Sequence, residues 1–165
     1  MSSDKPRLLI EDWLPVKELG IESRRERKVF TDLPPLNYLH VWWARRPIVA
    51  SAGVLLAGLL PQWSQELADK FNAHSEIADE SAYREWLLTL VGITGSPIEG
   101  ARREALGDTG IDAFGYPQAW KSPPSKSQLQ LLHDVLQHTW GHSPVIADPT
   151  AGGGAIPFAS ARYGL

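Results

Sequence analysis

Pro144-Val145-Ile146-Ala147-Asp148-Pro149-Thr150-Ala151-Gly152-Gly153-Gly154-Ala155-Ile156-Pro157-Phe158-Ala159-Ser160-Ala161-Arg162 is the stretch on which the reading of this chain turns. Its first four residues are a short apolar run bounded by turn formers, the pattern of a buried parallel strand. Asp148 closes the run, consecutive glycines make a turn, and Ala155 to Arg162 reads as a helix that tolerates Pro157 in its first turn. A strand, a glycine loop and a helix in that order form a ligand-binding unit. Glycine takes up positive φ without steric cost and lets a ligand touch the main chain, while the free N–H groups of the helix start suit an anionic group. No other segment reads as a strand.

The order of residues separates this loop from two common nucleotide loops. A phosphate loop ends in Gly-Lys-Ser/Thr, whereas Gly154 is followed by Ala155-Ile156. The dinucleotide fingerprint Gly-x-Gly-x-x-Gly/Ala begins at Gly152 and Gly154 but meets Pro157 where a small residue is required. The segment resembles instead the first cofactor motif of amino-methyltransferases acting on nucleic-acid bases, Asp-Pro-Phe-x-Gly-x-Gly-Ser/Thr. The resemblance implies that Asp148, Pro149, Thr150, Ala151, Gly152, Gly153 and Gly154 surround the methionine half of S-adenosylmethionine. Thr150 replaces the usual Phe and Ala155 the usual Ser/Thr, so the side-chain contacts of the motif do not carry over at those two positions. The plainer reading is a glycine turn that only joins two elements.

Working back from the loop, Leu129, Leu132, Val135 and Leu136 lie on one face of a helix expected from about Ser127 to Thr139. Residues 107–124 are rich in Gly, Pro, Asp and Ser and read as loop. From Pro61 to about Gly107, Trp63, Leu67, Phe71, Tyr83, Trp86, Leu87 and Leu90 recur at helical spacings within a more polar setting, which predicts a helical insertion. Pro47 suits a helix start, and the small residues Ala50, Ser51, Ala52, Gly53, Ala57 and Gly58 in the run to Leu60 predict a buried helix packed closely on another element. Leu9, Ile10, Trp13 and Leu14 predict a short helix that Pro15 breaks or restarts. The expected organisation is therefore 1–60, an N-terminal region with the buried helix; 61–124, a helical insertion and loop; and 125–165, the start of the cofactor-binding domain.

Two N-terminal strings add a second resemblance. Arg7-Leu8-Leu9-Ile10-Glu11-Asp12-Trp13-Leu14-Pro15, followed by Leu39-His40-Val41-Trp42-Trp43-Ala44-Arg45-Arg46-Pro47, resembles the N-terminal signature of large adenine-specific DNA methylases, some relatives of which are associated with anti-phage defence loci. The implied fold is α/β, a truncated Rossmann-like methyltransferase fold, with this chain mostly helical and holding one short strand before the glycine loop. The implied cofactor is S-adenosyl-L-methionine, and the implied partners are DNA and other defence-system subunits. The second string is also similar to the His-x-Thr-x-Lys-Pro motif of one methyltransferase class. By that analogy Trp43, Arg45 and Arg46 flank the cofactor, with an arginine gripping its carboxylate in a forked pair. Buried tryptophans and solvated helix-start arginines are the equally open alternative. The Asn/Asp-Pro-Pro-Tyr/Phe motif that holds the target base is absent from the chain, so catalysis is expected to need residues outside it, and this chain alone is expected to be inactive and to bind the cofactor weakly.

Composition sets the outer bounds. The 165 residues are 43% hydrophobic, enough for one core, and carry no cysteine, which excludes disulfides and thiolate chemistry within them. A net charge of -3 is not that of a domain holding a nucleic-acid backbone unaided. The apolar run Ile48 to Leu60 falls short of the ~20 residues a membrane helix needs, and a cytoplasmic location without membrane attachment is expected. The run Arg24, Arg25, Arg27 and Lys28 reads as a solvated face because Glu22 and Glu26 interrupt it, in preference to a phosphate contact. His138 and His142 have a metal-like spacing without accompanying ligands, and Asp79, Glu80, Glu85 and Glu99 form no acid-base pair. A non-enzymatic helical adaptor and a methyltransferase acting on RNA or protein are the competing readings.

Overall fold

A computed structural model describes residues 5–28, 34–35, 46–107 and 113–165. These residues are helical, as α1 (Leu9–Asp12), α2 (Val16–Lys28), α3 (Ile48–Ala57), α4 (Gln65–Lys70), α5 (Glu80–Val91), α6 (Pro97–Ala105), α7 (Lys126–Trp140) and α8 (Ala155–Arg162). Short 3₁₀ turns occur at Ser75–Ile77 and Ala119–Lys121. Among them no helix is long and apolar enough to cross a membrane.

The expected α/β class is overturned, and with it the strand at Val145–Ala147. Residues 143–148 run without regular structure, Val145 is 92% exposed, and the isolated bridge among the described residues joins Leu8 to Pro61. An apolar run becomes a strand only where a neighbouring edge takes up its N–H and C=O groups and its side chains enter a core. No described segment offers that edge.

Local signals set the helix ends. Ser64, Asp79, Ser96 and Ser125 each accept a hydrogen bond from a backbone N–H of the first turn that follows, and Pro97 opens α6. The α5 helix stops at Gly92, whose φ of 97° belongs to the left-handed region. Pro15 separates α1 from α2 as expected, whereas the basic run at residues 23–28 turns out to be the last part of α2.

The small-residue helix α3 is the centre of the molecule and packs against α1, α2, α5 and α8. Ile48, Val49, Ser51, Ala52, Gly53, Leu56 and Ala57 are buried on it. Gly53 lets α2 come close, since a Cβ there would lie 2.7 Å from Leu19 Cδ1 and the leucine side chain would have to shift. Carbonyls just beyond the helix are taken up by distant groups: Leu59 O accepts from Trp140 Nε1 at 2.9 Å, Leu60 O from the Leu9 N–H at 2.9 Å and Pro61 O from the Tyr83 hydroxyl at 3.0 Å. One continuous core runs from Leu9 to Tyr163 and draws on Tyr83, Leu87, Leu90, Leu132 and Leu136.

Candidate cofactor cleft

The glycine loop is a sequence of tight turns. Asp148 Oδ1 accepts from the Thr150 N–H at 3.1 Å and from its hydroxyl at 3.4 Å, which folds the chain back after the extended segment. Gly154 N–H then donates to Ala151 O at 2.8 Å. Gly152 and Gly154 have φ of 55° and 76°, so both adopt the left-handed conformation that glycine permits and a branched residue resists. Gly154 is the residue from which α8 starts, and its carbonyl accepts from the Phe158 N–H at 2.9 Å. Pro157 falls in the first turn of that helix.

Helix α8 is anchored firmly, so the loop has a rigid base. Ala155, Ala159 and Ser160 are buried on the face toward α3. Arg162 donates to the carbonyls of Trp120, Ala119 and Ser122 at 3.1, 3.3 and 2.7 Å, which closes the 3₁₀ turn at 119–121. The Tyr163 hydroxyl, pushed up to about 12 by burial against a smaller opposing pull from Arg162, donates to Leu90 O at 3.1 Å. His133 Nε2 lies 2.7 Å from Tyr163 O.

Arg46 faces this loop from the start of α3. It lines a cleft of about 170 Å³ together with Thr150, Ala151, Gly152, Gly153, Ala155 and Ile156. Main-chain turns, a helix N-terminus and Arg46 thus border one small polar space. Asp148 Oδ2 is buried and has no hydrogen-bond partner among the described residues. Such an orphaned acceptor is costly unless something donates to it. Of the residues expected at the cofactor, Asp148, Pro149, Thr150, Ala151, Gly152, Gly153 and Gly154 form the loop, and Arg46 joins it across the fold. Trp43 and Arg45, with Trp42, lie outside the described residues.

The start of α3, next to Arg46, is held by Glu26, one of the two acids that interrupt the basic run on α2. Glu26, on α2, is 5% exposed, and its two carboxylate oxygens accept from the Ile48 and Val49 N–H groups at 3.0 and 3.2 Å. Pro47 gives α3 no side-chain cap, so a carboxylate from another helix does that work. Burial raises the Glu26 pKa, the two N–H groups oppose that shift, and the charge of Glu22 adds to it. Glu22 is 1% exposed and accepts from the Tyr116 hydroxyl at 2.7 Å and from the Ala119 N–H at 3.4 Å. The usable signal was spacing: Leu19, Glu22 and Glu26 lie on one helical face, and that face turns inward.

The basic run divides accordingly. Arg25 turns inward, donating to Tyr116 O at 2.5 Å with its guanidinium 4.3 Å from the Phe114 ring centroid. Arg24 and Lys28 stay at the surface and share Glu104 at 2.8 and 2.5 Å. Those partners hold the Glu104 carboxyl below its usual range, with the Lys28 hydrogen bond as the largest cause. His138 packs edge-on against Phe71 with ring centroids 5.8 Å apart, and His142 lies at the surface.

Residues 13–85 match a family model described as "Protein of unknown function (DUF1156)". The matched span includes α2, α3 and Arg46 and stops well before the glycine loop. No curated protein and no solved structure matches the chain.

Proposed function

We propose that the cleft between Arg46 and the glycine loop receives the methionine end of S-adenosylmethionine, and that the chain serves a methyltransferase acting on the exocyclic amine of adenine in DNA. The observation that carries this reading is the convergence of Arg46 on Gly152 and Gly153 within one cleft. The two segments were singled out separately by their likeness to methyltransferase motifs.

The residues suit a zwitterionic amino-acid group. Arg46 supplies a fixed positive charge with parallel donors for a carboxylate, and the N–H groups at the start of α8 add a partial positive charge beside it. Asp148 Oδ2, which has no hydrogen-bond partner among the described residues, is an acceptor suited to an ammonium. Left-handed Gly152 and Gly154 keep the loop free of side chains at the point of closest approach. When bound, the cofactor supplies an activated methyl group for transfer to an amine. These residues bind and orient its non-reacting end, and the groups that hold the adenine lie outside this set. In duplex DNA the target base has to leave the stack to present its amine.

The test is a titration of the isotopically labelled chain with S-adenosylmethionine, followed by amide chemical shifts. Perturbations concentrated at Thr150–Gly153 and Arg46, and lost in a folded Gly154→Val variant, support the reading. Millimolar ligand that leaves those amides unmoved, or moves only distant ones, overturns it.

A further inference from the structure

Glu22 and Glu26 interrupt the basic run of α2 along the chain but not in space. Both carboxylates turn inward, where Tyr116, the Ala119 N–H and the start of α3 donate to them, and Arg25 turns inward with them. The outward face is left to Arg24, with Arg27 and Lys28 three and four residues further on, all exposed. Together with Gly20 and Ser23 they line a groove of about 600 Å³. A Cβ on Gly20 would meet nothing within 4 Å, so the groove has open room there. Among the described residues one acid is ion-paired to these three cations: Glu104 of α6, shared by Arg24 at 2.8 Å and Lys28 at 2.5 Å. Arg27 has no hydrogen-bond or ion-pair partner among the described residues.

We propose that this groove grips the sugar-phosphate backbone of duplex DNA without regard to base sequence, and that Glu104 holds the place a phosphate takes. The groove's own chemistry names the phosphodiester chain, and the choice of DNA among nucleic acids rests on the reading above. A stripe of cations on one helix face is the footprint of a repeating polyanion. Guanidinium forks match phosphate oxygens, and Glu104 shows the Arg24 and Lys28 pair already holding an oxyanion between them. An acidic protein segment would replace one carboxylate by another that lacks the advantage of being tethered, and would gain little. A phosphodiester backbone releases condensed counterions as it is neutralised, and that release drives the exchange. With a net charge of -3 on the whole chain, the grip is local and has the strength of non-specific binding.

The test is the anisotropy of a short dye-labelled duplex of random sequence, titrated with the full chain in the absence of S-adenosylmethionine at about 50 to 200 mM salt. Half-saturation at or below about 100 μM is expected at the lower salt, weakening steeply as salt rises. Arg27→Gln should lower the slope of log affinity against log salt by about one. Glu104→Gln removes the competing carboxylate at nearly constant size and should tighten binding roughly threefold. Arg102→Gln, at an exposed α6 position outside the described lining of the groove, should change neither quantity. No binding at the lower salt overturns the proposal and leaves a solvated face. A slope unchanged in Arg27→Gln, or lowered equally in Arg102→Gln, overturns the groove as the place of contact. Glu104→Gln that binds no tighter overturns the role given to Glu104. Polyglutamate that displaces the duplex at matched charge makes the groove a surface for acidic protein and overturns the DNA assignment. The amide shifts at Thr150–Gly153 report on the cofactor reading separately, so either can fail while the other stands.

Discussion

Removing the Glu26 carboxylate is expected to destabilise the start of α3 measurably. Glu26→Ala leaves the Ile48 and Val49 N–H groups, now bonded at 3.0 and 3.2 Å, without acceptors at a buried helix start. Each orphaned donor costs about 1–3 kcal/mol. Relief from holding a carboxylate out of water offsets part of this, so the net loss is expected near 2–4 kcal/mol. Glu26→Gln keeps one acceptor oxygen and removes the charge, and it should lose about 1–2 kcal/mol. The two variants also differ in their response to pH. Burial raises the folded-state pKa above the ordinary 4.5, so the folded protein holds the proton more tightly than the unfolded chain does. Stability from this group is therefore full below that value and declines as pH rises through the raised pKa. Gln cannot lose a proton, so the deficit of Glu26→Gln relative to the parent should shrink over the same rise. Urea unfolding followed by tryptophan fluorescence at a series of pH values measures all of this. A Glu26→Ala variant within about 0.5 kcal/mol of the parent would refute the assignment of Glu26 as the cap of α3. So would a Gln deficit that grows as pH rises.

Two further outcomes follow from the packing. Gly92→Ala would place a Cβ 2.1 Å from Ala119 O and 2.7 Å from Ser122 O, at φ 97°, against backbone that Arg162 holds in place. The expected loss is about 3–5 kcal/mol, and a thermal midpoint lowered by less than a few degrees in calorimetry would contradict it. Tyr163→Phe removes the hydroxyl that donates to Leu90 O and should cost about 1 kcal/mol near neutral pH. Because burial lifts the Tyr163 pKa from 10.0 to about 12, this group's stability is lost as pH rises through that range. The Phe variant should show a shallower alkaline decline in urea midpoint, with the part that remains owed to the still more strongly raised Tyr83. An equally steep decline in the variant would remove Tyr163 as a contributor.

Local chemistry was legible in the residues taken alone. Ser, Asp and Gly at helix ends act through their own neighbours, so the α7 helix and the break at Pro15 follow from nearest-neighbour steric and hydrogen-bond rules. The same holds for the glycine loop, where Gly152 and Gly154 take the left-handed conformation that only a residue without a Cβ adopts readily. The small residues of α3 announced close packing without saying against what. Tertiary structure alone decided the rest, because it depended on partners far along the chain. Pro144 to Ala147 has the composition of a strand, yet a strand exists only through a neighbour's hydrogen bonds, and Val145 meets solvent instead. Glu22 and Glu26 are acidic residues within a basic run, a pattern that surfaces also show. They became interior groups because α2 turns that face toward the start of α3 and toward Tyr116, where backbone N–H groups and a phenol supply what water would have supplied. The meeting of Arg46 with Gly152 and Gly153 has the same origin: α3 and α8 pack side by side, and burying their small faces against each other brings two distant loops into one cleft.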